Sequence, residues 1–157
     1  MTHSERKFPA STQRRVRRNT VEAINRGIDA QIEQNIRYYS KHPVEIGRRL
    51  AELDREWDIE RAIEANAASV LLAGLALAFT RDRRFLVLPV LVGTFLLQHA
   101  IEGWCPPVPI LRRLGFRTAD EINRERYALK MLRGDFAAVE PSTDPAIRAE
   151  EVIRGSA

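Results

Sequence analysis

The chain has 157 residues, with 25 Lys and Arg against 21 Asp and Glu and a net charge of +4. Its single cysteine, Cys105, excludes an intrachain disulfide framework and a multi-cysteine zinc site. The slightly negative mean hydropathy hides a segregation, because residues 65–80 and 85–101 hold no formally charged side chain.

Residues 1–18 read as a disordered basic tail. Arg6, Lys7, Arg14, Arg15, Arg17 and Arg18 are opposed only by Glu5, and few apolar residues are available for burial. The segment has no apolar core, so no signal peptide is expected. Its alternative role is a polybasic arm on anionic lipid. Nucleic-acid binding is not expected, because no folded nucleic-acid-binding motif accompanies the charge.

Residues 19–57 read as an amphipathic helical region. Val21, Ile24, Ile28, Ile32, Ile36 and Tyr39 step by three or four, which predicts one helix over about 20–40, capped by Asn19 with Glu22 at its third position. His42-Pro43 ends it. Ile46, Leu50, Leu53 and Trp57 mark a second amphipathic helix over 43–57, expected to pair with the first, apolar face to apolar face.

Residues 58–104 carry the strongest signal. Two apolar stretches, 62–80 and 85–101, are separated only by Arg81-Asp82-Arg83-Arg84, so they must form antiparallel neighbours. The second contains eleven Leu, Ile, Val or Phe, which favour a bilayer by roughly 3–7 kcal/mol on an insertion scale. Pro89 falls in the first turns of that stretch, where its missing donor costs least. Both runs are apolar all round, arginines sit at the turn, and Trp57 and Trp104 bracket the other end. The expected fold class is therefore all-α: a membrane helical hairpin of two short transmembrane helices, with amphipathic helices on both sides. Ala62, Ala65, Ser69, Ala73 and Ala76 share a face of the first stretch and predict close helix approach there. Arg48, Arg49, Arg55, Arg61, Arg112 and Arg113 lie on the terminal side, against Arg81, Arg83 and Arg84 at the turn, which places both termini in the cytoplasm. Glu64 and His99 are expected at similar depth, able to make a polar contact across the hairpin.

Residues 105–136 read as a Cys-Pro turn and a C-terminal amphipathic helix. Pro106 and Pro107 stop the second span, Gly115 stops a short turn of helix over 110–114, and Thr118 with Glu121 forms a capping box for a helix reaching Arg133. Residues 137–157 read as a disordered tail. Cys105 is the candidate reactive thiol: if it capped a helix begun at Pro106, the helix dipole with Arg112 and Arg113 would favour the thiolate. The bland alternative is a cysteine fitted into a Pro-directed turn. No catalytic constellation, cofactor site or metal site is evident.

Asp54-Arg55 ahead of a short span, the tight hairpin, Cys105-Pro106 after the second span, and Leu114-Gly115 with Thr118 together resemble the YgaP-like transmembrane domain family, whose function is uncharacterised. The resemblance covers about residues 50–120. Pro107 and the neighbouring arginines depart from the family pattern, and Glu125–Lys130 through Arg133–Phe136 looks like a subgroup extension. It implies a bacterial inner-membrane protein of two spans. Some relatives carry a rhodanese sulfurtransferase domain, and none is present here. The leading functional expectation is a non-enzymatic module that anchors or assembles, with the lipid bilayer, a second copy or a membrane protein as partner. The alternative is a sulfur or redox accessory acting through Cys105.

Overall fold

The computed structural model describes residues 12–136; the expected tail over 137–157 and the start of the basic segment lie outside the described residues. Helices α1 (Thr12–Arg18), α2 (Glu22–Lys41), α3 (Ile46–Arg55), α4 (Ile59–Thr80), α5 (Val87–Glu102), α6 (Val108–Arg113) and α7 (Ala119–Arg133) are joined by short connections, with no strand among the described residues. The all-α expectation holds. The chain divides into two compact units, Met1–Ile28 with Trp57–Asp120 and Asp29–Glu56 with Glu121–Ala157. Helices α2 and α7 contribute residues to both.

In the second unit, Ile46, Leu50 and Leu53 of the stripe read from the sequence are buried, whereas Trp57, its last member, is exposed. Ile46, Leu50 and Leu53 of α3 pack with Ile122 and Leu129 of α7, and Tyr39 of α2 leans on this cluster. Helix α7 thus adds apolar surface to this core that the sequence reading did not assign to it, beside the contact of Tyr39 with α3. Pro43 opens a 3-10 turn, Pro43–Glu45, before α3, and Glu56 leaves the helix with extended backbone, so α3 does not run on into α4. Glu125 is fully buried yet accepts from Arg49 Nε at 2.9 Å and Asn35 Nδ2 at 3.0 Å. A carboxylate can stay charged inside protein only with such partners. Arg124–Asp29 at 2.9 Å and Arg126–Asp54 at 3.1 Å tie α7 to α2 and α3 at the edge of the same core.

In the first unit, the core is Val16 of α1, Ile59 and Ile63 of α4, Cys105, and Val108 of α6. Residues 12–18, expected as tail, form a helix instead. Seven residues are too few to hold a helix alone in water; docking holds this one. Val16 is fully buried, Arg15 Nη2 donates to the Ala100 carbonyl at 3.0 Å, and Asn19 Nδ2 donates to the Glu102 carbonyl at 3.0 Å. Those two acceptors belong to the last turn of α5, whose carbonyls have no partner within the helix. Asn19 therefore serves the end of α5 rather than the start of α2, which begins at Glu22. Gly103 ends α5 at φ 72°, and its N–H donates to His99 O at 2.7 Å. Only glycine adopts that conformation cheaply, and only glycine leaves room for α1. A Cβ there would lie 2.4 Å from Arg15 Cβ. Arg112 is also buried, donating to Phe116 O at 3.1 Å and Asn25 Oδ1 at 2.9 Å, while Asn25 Nδ2 donates to Arg17 O at 3.0 Å. This polar chain joins α1, α2 and α6.

Candidate functional site

The apolar hairpin is built by α4 and α5. Asp58 caps α4, accepting from the Arg61 N–H at 2.7 Å, which sets the helix start just ahead of the apolar run. With 22 residues α4 rises about 33 Å. Helix α5 rises about 24 Å, and the 3-10 turn Arg83–Leu86 ahead of it adds about 8 Å. Both arms match a hydrocarbon thickness of about 30 Å. At the turn, Asp82 accepts from the Arg84 N–H at 2.7 Å, and Arg81, Arg83 and Arg84 are exposed.

The helices approach closely at Gly74, where an added Cβ would lie 2.8 Å from Pro89 Cδ and 3.0 Å from Leu88 Cβ. The small-residue face read from the sequence points elsewhere: Ser69, Ala73 and Ala76 are exposed, and only Ala62 is buried. Spacing selects a face but does not say which neighbour it meets.

Two features fit these helices for apolar surroundings. Only 17% of the most apolar stretch containing α4 is buried within the chain, and 6% of that containing α5. Leu72, Phe79, Val87 and Val90 stand exposed. Also, polar side chains along the hairpin bond to their own helix four residues back. Asn66 donates to Ala62 O at 2.7 Å, Ser69 to Ala65 O at 2.8 Å, Thr80 to Ala76 O at 2.7 Å and Thr94 to Val90 O at 2.8 Å. Each hydroxyl or amide so placed asks for less from solvent.

At the terminal end the Arg61 guanidinium lies 4.6 Å over the Trp57 ring, and both Trp57 and Trp104 are exposed. Two concavities open here. One is an apolar groove of about 290 Å³ walled by Ile63, Val70, Phe95 and Leu96, with Cys105 and Pro106 among its lining. The other, of about 380 Å³, is lined by Gln13, Glu60, Glu64, Leu96, His99 and Ala100. Glu64 and His99, paired in expectation, do share this wall, but no hydrogen bond joins them. His99 is only 6% exposed and neither ring nitrogen has a hydrogen-bond partner. The sequence reading missed Glu60 and Gln13. The Glu60–Glu64 spacing of four, on the helix ahead of the one that carries His99, was the available signal for the first.

Cys105 is buried at 2% exposure. Burial pushes its thiol pKa up, and the Val108 backbone N–H offsets part of that. Helix α6 starts at Val108, not Pro106, and Arg112 is engaged by Asn25 and Phe116. The dipole and cations expected to favour a thiolate are therefore not assembled at the sulfur. Among the described residues no three His, Cys, Asp or Glu groups converge to hold a metal ion. The chain matches no family model, no curated protein and no solved structure.

Proposed function

We propose that this chain is an integral protein of the bacterial inner membrane, with α4 and α5 crossing the bilayer and both termini in the cytoplasm. Its role is non-enzymatic: it anchors itself and assembles with a second copy or another membrane protein. The observation that carries the reading is the exposure of both helices. Core helices of a soluble bundle are mostly hidden, whereas only 17% and 6% of the apolar stretches in these two are buried. Leaving so much apolar surface in water costs about 25 cal/mol per Å², and lipid removes that cost. The arginine excess on the terminal side supports the orientation, and the resemblance to the YgaP-like family agrees with location and span number.

Alkaline carbonate washing of membranes tests the location. The protein stays in the pellet and floats with lipid; recovery in the supernatant sinks the membrane reading. Mass measurement and affinity capture in mild detergent test the assembly role, which predicts a defined oligomer or a stoichiometric partner. A strictly monomeric chain with no co-purifying protein refutes that role and leaves the location standing.

A further inference from the structure

The turn that joins α4 and α5 concentrates charge that the two arms lack. Arg81, Asp82, Arg83 and Arg84 are the only formally charged residues between 65 and 101, and three arginines against one aspartate give the turn a charge of +2. The Asp82 carboxylate serves Arg84: it accepts from the Arg84 N–H at 2.7 Å and lies 3.9 Å from Arg84 Nε. All three arginines are exposed, Arg84 at 93%. Among the described residues, the side chains of Arg81 and Arg83 have no hydrogen-bond or ion-pair partner. Phe79, Phe85, Leu86 and Val87 stand exposed in the sequence on either side of these cations.

Guanidinium groups bordered by exposed apolar side chains match the layering of a phospholipid, a phosphate above acyl chains. The planar guanidinium donates in pairs to phosphate oxygens, and its carbon stem can stay among the chains. Depth agrees. Arg81 follows directly on the last turn of α4, whose 22 residues are enough to cross a bilayer, so the guanidiniums emerge at the phosphate layer. A free phosphate would engage the cations and leave the apolar border in water, whereas a lipid covers both.

We propose that the α4–α5 turn docks the headgroup of an anionic phospholipid, with Arg81 and Arg83 on the phosphate and Phe85 and Leu86 against its acyl chains. The inference rests on the bilayer reading above and names a lipid partner for the hairpin.

The test uses full-length protein in phosphatidylcholine vesicles. Trp57→Phe and Trp104→Phe remove the two native tryptophans, both exposed, and Phe85→Trp places one fluorescent reporter at the turn. Phosphatidylglycerol with brominated chains is compared with phosphatidylcholine with brominated chains at equal mole fraction. The brominated phosphatidylglycerol quenches the reporter with an apparent affinity at least about fivefold above that of phosphatidylcholine, the factor that one arginine close to an anionic surface represents. Combining Arg81→Gln with Arg83→Gln leaves Arg84 balanced by Asp82 and removes the preference, and salt at about 1 M weakens it. Both side chains are exposed and unpartnered, so the double variant keeps its fold; the comparison of the two lipids does not depend on it. Equal quenching by the two lipids, or a preference that survives the double substitution, overturns the site and leaves the crossing intact. Quenching by neither lipid refutes the crossing and the site together.

Discussion

Replacing Gly103 by alanine should release α1. Two costs meet at this residue. Its φ of 72° is left-handed, which costs a non-glycine residue roughly 1–2 kcal/mol. The new Cβ would also lie 2.4 Å from Arg15 Cβ, 2.9 Å from Arg15 C and 2.9 Å from Val16 N. Two of those contacts are backbone atoms, so no side-chain rotation relieves them, and α1 must move. Moving it exposes Val16, worth about 1.5–3 kcal/mol, and breaks the bonds from Arg15 and Asn19 to α5, about 0.5–1.5 kcal/mol each. Gly115 provides an internal control: it has φ 90° and nothing within 4 Å of an added Cβ. Gly115→Ala therefore carries the conformational cost without the clash. Limited trypsin digestion in detergent, read by mass spectrometry at Arg14, Arg15, Arg17 and Arg18, reports the docking. Cleavage there should rise at least about tenfold in Gly103→Ala, the factor that 1.4 kcal/mol represents, and change little in Gly115→Ala. Equal cleavage in the two variants would refute the claim that α1 is held by contact with Gly103.

Gly74→Ala should loosen the hairpin, because Pro89 Cδ at 2.8 Å belongs to a rigid ring and cannot swing aside. Overpacking of this kind costs about 1–3 kcal/mol, so thermal unfolding in detergent should occur at lower temperature; an unchanged midpoint refutes the close crossing. Cys105 should alkylate slowly at neutral pH, with a pH–rate midpoint above that of a free cysteine, because burial disfavours its thiolate. The sign is fixed: raising pH through the elevated pKa increases the rate. Rapid labelling at pH 7 in native membranes would revive a thiol-based role.

Elements whose ends are set locally were legible in the sequence. Pro43 opens the 3-10 turn that leads into α3, while the stop read at Pro106 and Pro107 falls a few residues beyond Gly103, where α5 ends. The Ile32, Ile46, Leu50 and Leu53 pattern named the buried face of α2 and α3. Elements set by tertiary contact were not legible. Helix α1 is short and basic, and one valine with a glycine far along the chain decides its fate. The partner of α3 could not be read from periodicity either, since α7 carries the complementary face together with the buried Glu125. The polar cavity draws on three helices, and its lining residues are separated by up to most of the described chain.

The pattern of polar satisfaction marks where the surroundings of α4 change. Ile59, Ala62 and Ile63 are buried in protein, and the polar groups near them, Asn25 and Arg112, bond across elements. From Asn66 onward, polar side chains bond within their own helix, and Val70, Leu72, Leu77 and Phe79 face outward while Leu71 and Leu75 are half-buried. A helix in water gains nothing from hiding its hydroxyls in this way while displaying its leucines. A helix entering lipid at about Asn66 must do both, because no solvent partner exists for either the hydroxyl or the backbone. That change of habit within one continuous helix supports the proposed membrane crossing and, on that reading, puts its boundary near Glu64.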